Sequence, residues 1–168
     1  TVEILDSIPG SFNTLRLKKN AGVSHARNCG IRSTDSEWIA FLDSDDVWHP
    51  QKLKKQIEAI SERPEHLLHF TDEIWIRNGK RINPKLRHRK REGWIYQPSL
   101  ELCLMAPSTV LLKRELLEQC GLFDEELPVC EDYDLWLRIT AHHRVSFLNE
   151  ALMTRSGGHA DQLSRKYW

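Results

Sequence analysis

Short apolar runs alternate along the chain with stretches whose apolar residues recur every three or four positions. This is the pattern of strands and helices sharing one α/β sheet. Residues 13–20, "NTLRLKKN", read as a strand, and Ser24 is placed to cap a helix in "SHARNCGIRS". The strongest buried-strand signal is "EWIAFLD", residues 37–43. Pro50 then fits the first turn of a helix that would turn Leu53, Ile57 and Ile60 inward and stop before Pro64. "LLHFTDEIWIRNGKRIN" predicts a strand and a hairpin turn at Asn78 and Gly79. "STVLLKRELLEQCGLFDE" predicts a strand and a short helix stopped by Gly121. "CEDYDLWLRITAHH" predicts a helix opening on Glu131 and Asp132, with short strands following in "RVSFLN" and "ALMTRS".

Composition narrows the class without naming it. The 168 residues, 40% hydrophobic and 29% charged, suit one soluble globular domain, expected over residues 1–168. No apolar run approaches the roughly 20 residues that cross a bilayer, and the start shows no basic-plus-apolar targeting pattern, so a cytoplasmic protein is expected. Cys29, Cys103, Cys120 and Cys130 lack the close pairs of a zinc site and are expected to be reduced and structural. A formal net charge of zero provides no global field for nucleic acid.

Candidate chemistry concentrates in "AFLDSDDVWHP", residues 40–50, where Asp43, Asp45 and Asp46 end an apolar strand. Carboxylates this close repel, and each resists leaving water. At the carboxyl end of a strand in an open α/β sheet, where ligands bind, such a group can hold a divalent cation that in turn holds phosphates. The simpler alternative is that Asp43 or Asp46 caps the next helix while the others are solvated.

With these acids in place, the sequence resembles glycosyltransferase family 2 of the GT-A fold. "NAGVSHARNCGI", "WIAFLDSDDVWHPQKLKKQ", "GLFDEELPVCEDYDLWLRI" and "GGHADQLS" carry the resemblance, in the family's order. It implies a mixed, mostly parallel sheet flanked by helices, and inverting transfer of a sugar from a nucleotide-diphosphate donor to the hydroxyl of a glycan or glycolipid acceptor. It further implies that Asp45 binds Mn²⁺ or Mg²⁺, that Asp43 lies near the donor ribose with Asp46 in support, and that Arg27 and Asn28 line the donor pocket. Asp132 is the implied catalytic base, with Glu131 second. His159, after two glycines, is the implied second metal ligand on a tail, residues 156–168, folded over the site.

Each assignment has a plainer counterpart. Acids in a first helical turn are common helix-start signals, and Asp134 is expected to be one; an arginine near Gly22 can be a surface residue. Cys130 is read as packing, and His142 and His143 have no comparable support. The basic run "KLRHRKRE", residues 85–92, is either a solvated loop or a receiver for an anionic acceptor at a membrane surface, with contact through residues 85–91. Nucleic acid is not expected, since Trp94 and Tyr96 follow the run instead of interleaving with it.

The family's opening strand, approximately "VSVIIPTYN", and its "DDGSTD" segment have no counterpart. The expectation is therefore an N-terminally incomplete sheet that self-associates and binds donor weakly. Two other functions fit the residues: a non-catalytic interaction or scaffold fragment, and a metal-dependent nucleotidyl or phosphoryl transferase using the same acids.

Overall fold

The computed structural model describes residues 12–83 and 85–157. Among these residues five α-helices form: α1 (Gly22–Arg32), α2 (Lys52–Glu62), α3 (Tyr96–Ser99), α4 (Arg114–Cys120) and α5 (Glu131–Thr140). Six strands, β1 (Trp38–Ala40), β2 (Val47–Trp48), β3 (Leu68–Arg77), β4 (Lys80–Ile82), β5 (Val110–Lys113) and β6 (Ser146–Gly157), make one sheet in the order β1-β5-β3-β6-β2, with β4 paired to β3. The α/β class is as expected, but the balance of strand directions is corrected. Among the described residues only β3 and β6 pair in parallel; β1 with β5, β3 with β5, β3 with β4 and β2 with β6 are antiparallel.

Strand order locates the site. β1, β3 and β6 share one direction, because the antiparallel steps through β5 cancel. β1 and β2 stand at opposite ends of the order although only residues 41–46 separate them. The acid-bearing segment therefore crosses the carboxyl ends of β3 and β6, where the second halves of those strands also lie. A turn closed by Asp46 N–H donating to the Asp43 carbonyl at 3.1 Å shapes it.

The core lies between the sheet, through Leu68, Phe70, Val110 and Leu112, and the helices, through Ile31, Leu116, Leu135, Trp136 and Ile139. The predicted hairpin forms with Asn78 at φ 51° and Gly79 at φ 73°, a pair of left-handed residues that matches the twist of the flanking strands. Gly121, at φ 84°, ends α4.

Several expected elements differ, and the two short strands expected in "RVSFLN" and "ALMTRS" form the single strand β6. Residues 13–20 form no strand, and Leu15 and Leu17 are solvent-exposed. Ser24 lies inside α1, whose N-cap is Ala21. Helix α2 is rotated relative to its apolar stripe: Leu53 and Ile57 are 42% and 58% exposed, whereas Lys52, Gln56 and Ala59 are buried. The polar face turns inward because Gln56 Nε2 donates to the carbonyls of His69 and Thr109, each at 3.1 Å.

Candidate functional site

A cleft of about 1290 Å³ opens at this end of the sheet, and Arg27, Asp43, Asp45, Asp46, Asp132 and Arg155 are among its lining residues. Arg27 is its main internal brace. One guanidinium nitrogen donates to Asp43 Oδ1 at 2.6 Å and another to Glu131 Oε1 at 2.7 Å, while the group lies 5.2 Å from the Phe123 ring centre. Burial opposes the charge on Arg27, yet Asp43 and Glu131 outweigh it and hold its pKa above the ordinary value. Three elements are thereby tied together: α1, the segment after β1, and the start of α5.

Ser108 supports the acids from beneath. Its buried hydroxyl accepts the Asp43 N–H at 3.0 Å and also bonds Asp46. Its carbonyl accepts the Trp48 indole N–H at 2.8 Å. Burial, followed by repulsion from Asp45 and Asp43, raises the Asp46 pKa despite that hydroxyl. The Trp48 ring in turn covers the ammonium of Lys52, 4.4 Å from the ring centre, and Lys52 Nζ donates to Gln56 Oε1 at 2.6 Å. Lys52 is fully buried, and burial lowers its pKa to about 8.

Glu131 and Asp132, adjacent in the first turn of α5, occupy different settings. Glu131 is buried in the Arg27 bridge, which gives it a structural task. Asp132 lines the cleft and accepts the Tyr133 N–H at 2.8 Å. The helix start was expected to favour its anion, but burial, then the neighbouring Glu131 charge, raises its pKa. Cys130 precedes them as the α5 N-cap at φ 63°. It is exposed, not packed, and its left-handed backbone turns the chain so that the two acids enter the helix. Asp134 is structural, bonding Arg138 at 2.7 Å.

Asn28 is not a cleft residue. It is buried on the side of α1 that packs against Phe123, where its amide donates to the Phe123 carbonyl and to Glu125 Oε1, both at 2.8 Å, and accepts the Phe123 N–H at 3.1 Å. His159 lies outside the described residues. The basic run is partly neutralised within the fold: Lys90 pairs with Glu73 at 3.0 Å and with Asp72 at 3.7 Å, and Arg63 pairs with Glu92. Lys85, Arg87, Arg89 and Arg91 remain exposed.

Sequence reasoning missed Arg155 and Ser108. Arg155 sits opposite Trp75 in the β3–β6 register, and its charge is felt at both Asp46 and Asp132. The tract "ALMTRS" identified its strand, but the face it occupies depends on pairing with β3. Ser108 belongs to no motif.

As to metal, the acids offer hard oxygen donors of the kind Mg²⁺ and Mn²⁺ prefer. Among the described residues no group of three His, Cys, Asp or Glu side chains is arranged to hold an ion by itself. The donor set fits a cation that takes most of its ligands from a bound phosphate.

Fold and cleft define a class: an α/β domain that presents carboxylates and guanidinium groups together at the carboxyl ends of its strands. The chain belongs to glycosyl transferase family 2, whose family model matches residues 1–121. It is 27% identical over 159 residues to an uncharacterized glycosyltransferase of Rickettsia conorii, covering 89% of this chain and 25% of that protein. It is 32% identical over 131 residues to the Escherichia coli UDP-Glc:alpha-D-GlcNAc-diphosphoundecaprenol beta-1,3-glucosyltransferase WfgD, covering 76% of this chain and 48% of that one. The fold is similar to residues 1–349 of S. aureus TarS solved with UDP-GlcNAc, with a TM-score of 0.68 at 22% identity over 90% of this chain and 44% of that chain. The chain thus spans between a quarter and about half the length of these proteins.

Proposed function

We propose that this chain forms part of an inverting glycosyltransferase that moves a sugar from a nucleotide-diphosphate donor to an acceptor hydroxyl. The observation that carries the reading is the convergence of Asp43, Asp45, Asp46, Asp132 and Arg155 on one cleft. WfgD, a UDP-Glc glucosyltransferase, and TarS, solved with UDP-GlcNAc, support a uridine-diphosphate sugar as donor. A lipid-linked diphosphate acceptor has support from the WfgD name alone.

In this mechanism the diphosphate lies along residues 43–46, with Arg155 meeting its negative charge. A divalent cation held by Asp45 and the donor phosphates would neutralise charge developing on the departing diphosphate. Asp43, fixed by Arg27, is placed for the donor ribose. Asp132 takes the proton from the acceptor hydroxyl as that oxygen attacks the anomeric carbon and the bond to the diphosphate breaks. A single displacement from the opposite face inverts the anomeric configuration. Burial suits Asp132 to this task by raising its proton affinity.

Among the described residues no helix is long and apolar enough to cross a membrane. We place the reaction at the cytoplasmic membrane face, with Arg87, Arg89 and Arg91 contacting anionic lipid around exposed Leu86. The deciding experiment is transfer from a panel of uridine-diphosphate sugars by the intact protein and its Asp45→Asn variant, with and without Mn²⁺. The reading expects metal-dependent transfer that falls at least a hundredfold in the variant. Equal turnover by both proteins would refute the assignment of Asp45.

A further inference from the structure

Four buried polar atoms on β3 have no hydrogen-bond partner among the described residues, His69 Nδ1, Thr71 Oγ1, Glu73 Oε2 and Trp75 Nε1, and of these the last two belong to residues that line the cleft. Glu73 and Trp75 are two apart on one strand and so share a face. The Glu73 side chain is only 5% exposed, and its other oxygen, Oε1, is held by Lys90 at 3.0 Å. Lys90 is itself pinned, donating to the Thr71 carbonyl at 3.2 Å. The Trp75 ring is braced by His88, edge-on at 5.0 Å between ring centres. The surroundings of both orphaned atoms are thus fixed by other contacts, while the atoms themselves stay unmet. Buried polar groups are ordinarily satisfied, so this pair calls for an occupant.

The chemistry of the pair indicates what the occupant is. Glu73 Oε2 can only accept while ionised, and the indole N–H can only donate. A hydroxyl group offers one donor and two acceptor lone pairs, so neighbouring hydroxyls on one ring satisfy both atoms. The adjacent indole face suits the apolar C–H face of a sugar ring. A phosphate is disfavoured, because it would bring acceptors against a carboxylate.

We propose that Glu73 and Trp75 form a hydroxyl-reading subsite for a substrate sugar ring at the β3 wall of the cleft. The inference rests on the sugar-transfer reading above and adds the residues that select the sugar. The ring comes from either the acceptor or the donor, and separate measurements distinguish them. The competing account is that the indole N–H bonds Glu73 Oε2 after a small rotation of either side chain, leaving nothing for a ligand.

The test uses the intact protein with Trp75→Phe, which removes the N–H together with part of the ring, and Glu73→Gln, which retains shape. One arm titrates methyl β-glucoside and methyl N-acetyl-β-glucosaminide by saturation-transfer NMR with UDP present. The other compares UDP-glucose and UDP-N-acetylglucosamine with UDP alone by calorimetry. Each variant is expected to weaken one arm about tenfold, the loss of one buried hydrogen bond, while UDP affinity stays within twofold. Weakened glycoside binding marks an acceptor subsite. A shrunken advantage of UDP-sugar over UDP marks a donor-sugar subsite. Folded variants that match the wild type in both arms, or a wild type that binds no glycoside and does not distinguish UDP-sugars from UDP, would overturn the subsite. A wild type that takes glycoside but not UDP would overturn the donor reading and leave the subsite standing.

Discussion

Arg27 and Asp43 meet at 2.6 Å, joining α1 to the acid-bearing segment that follows β1. The same guanidinium satisfies Glu131, whose side chain is only 9% exposed, so the arginine neutralises a carboxylate that water barely reaches. Removing one partner of a buried ion pair costs more than the pair contributes, because the survivor stays charged and dry. Arg27→Ala is expected to destabilise the protein by about 3 kcal/mol, and Arg27→Lys by less, in urea unfolding. A loss below about 0.5 kcal/mol would show that Glu131 finds another partner.

Ser108 links the Asp43 backbone to the Asp46 side chain, and its loss leaves the Asp43 N–H without its acceptor. Ser108→Ala should cost about 1 to 2 kcal/mol of stability and weaken UDP binding several-fold, as the acid segment loses its support. Calorimetric titration beside an unfolding curve checks both. Unchanged values in each would remove Ser108 from the site.

Asp132 should show opposite effects on turnover and stability. Its raised pKa means that the folded state holds this proton more tightly than the unfolded chain. Stability then falls as pH rises from the ordinary aspartate range through the raised value, and stays lower above it. Asp132→Asn removes that penalty. At pH 7 the variant should melt no lower than wild type, bind UDP normally, and turn over about 10² to 10⁴ times more slowly. The wild-type rate should rise with pH on a limb displaced above the ordinary aspartate range. Parallel loss of UDP affinity and turnover would assign Asp132 a structural role.

Lys52 provides a second pH test, with the opposite sign. Burial lowers its pKa to about 8 from 10.5, so between those values the unfolded chain binds a proton that the native state has released. Stability from this group should rise with pH across that window, by about 3 kcal/mol at most, at roughly 1.4 kcal/mol per unit. Lys52→Met should lack the rise. Urea unfolding of both proteins at pH 7 and pH 10 measures the difference between them, which cancels the titration of other lysines. Identical pH dependence would mean that the ammonium stays protonated over Trp48.

What the sequence revealed follows from how local each determinant is. The Asn78-Gly79 hairpin was legible because its backbone requirement belongs to those two residues. The α5 start and the acid segment after β1 were legible because their residues stand together in the chain. The inward face of α2 was not, since burying Gln56 over Leu53 depends on carbonyls of His69 and Thr109, contributed by other parts of the fold. Asn28 and Arg27 share a helix and a motif, yet one supports Phe123 and the other enters the cleft. Only the packing of α1 separates them. Arg155 and the orphaned atoms of Glu73 and Trp75 acquire meaning only when β3 and β6 lie side by side.

That side-by-side pairing also sets the order of events during synthesis. β3 and β6 are the central parallel partners, separated in the chain by everything from the hairpin to α5, and among the described residues β2 attaches to the sheet through β6 alone. Closing so long a loop is slow, and local hairpins and helices form well before it. While the ribosome is still extending the chain toward Ser146, the downstream anchor of the acid segment has no strand to dock on. The carboxylates therefore remain apart from their neighbours in the cleft until β6 is delivered, and a nascent chain halted before that strand would carry the acids without a cleft.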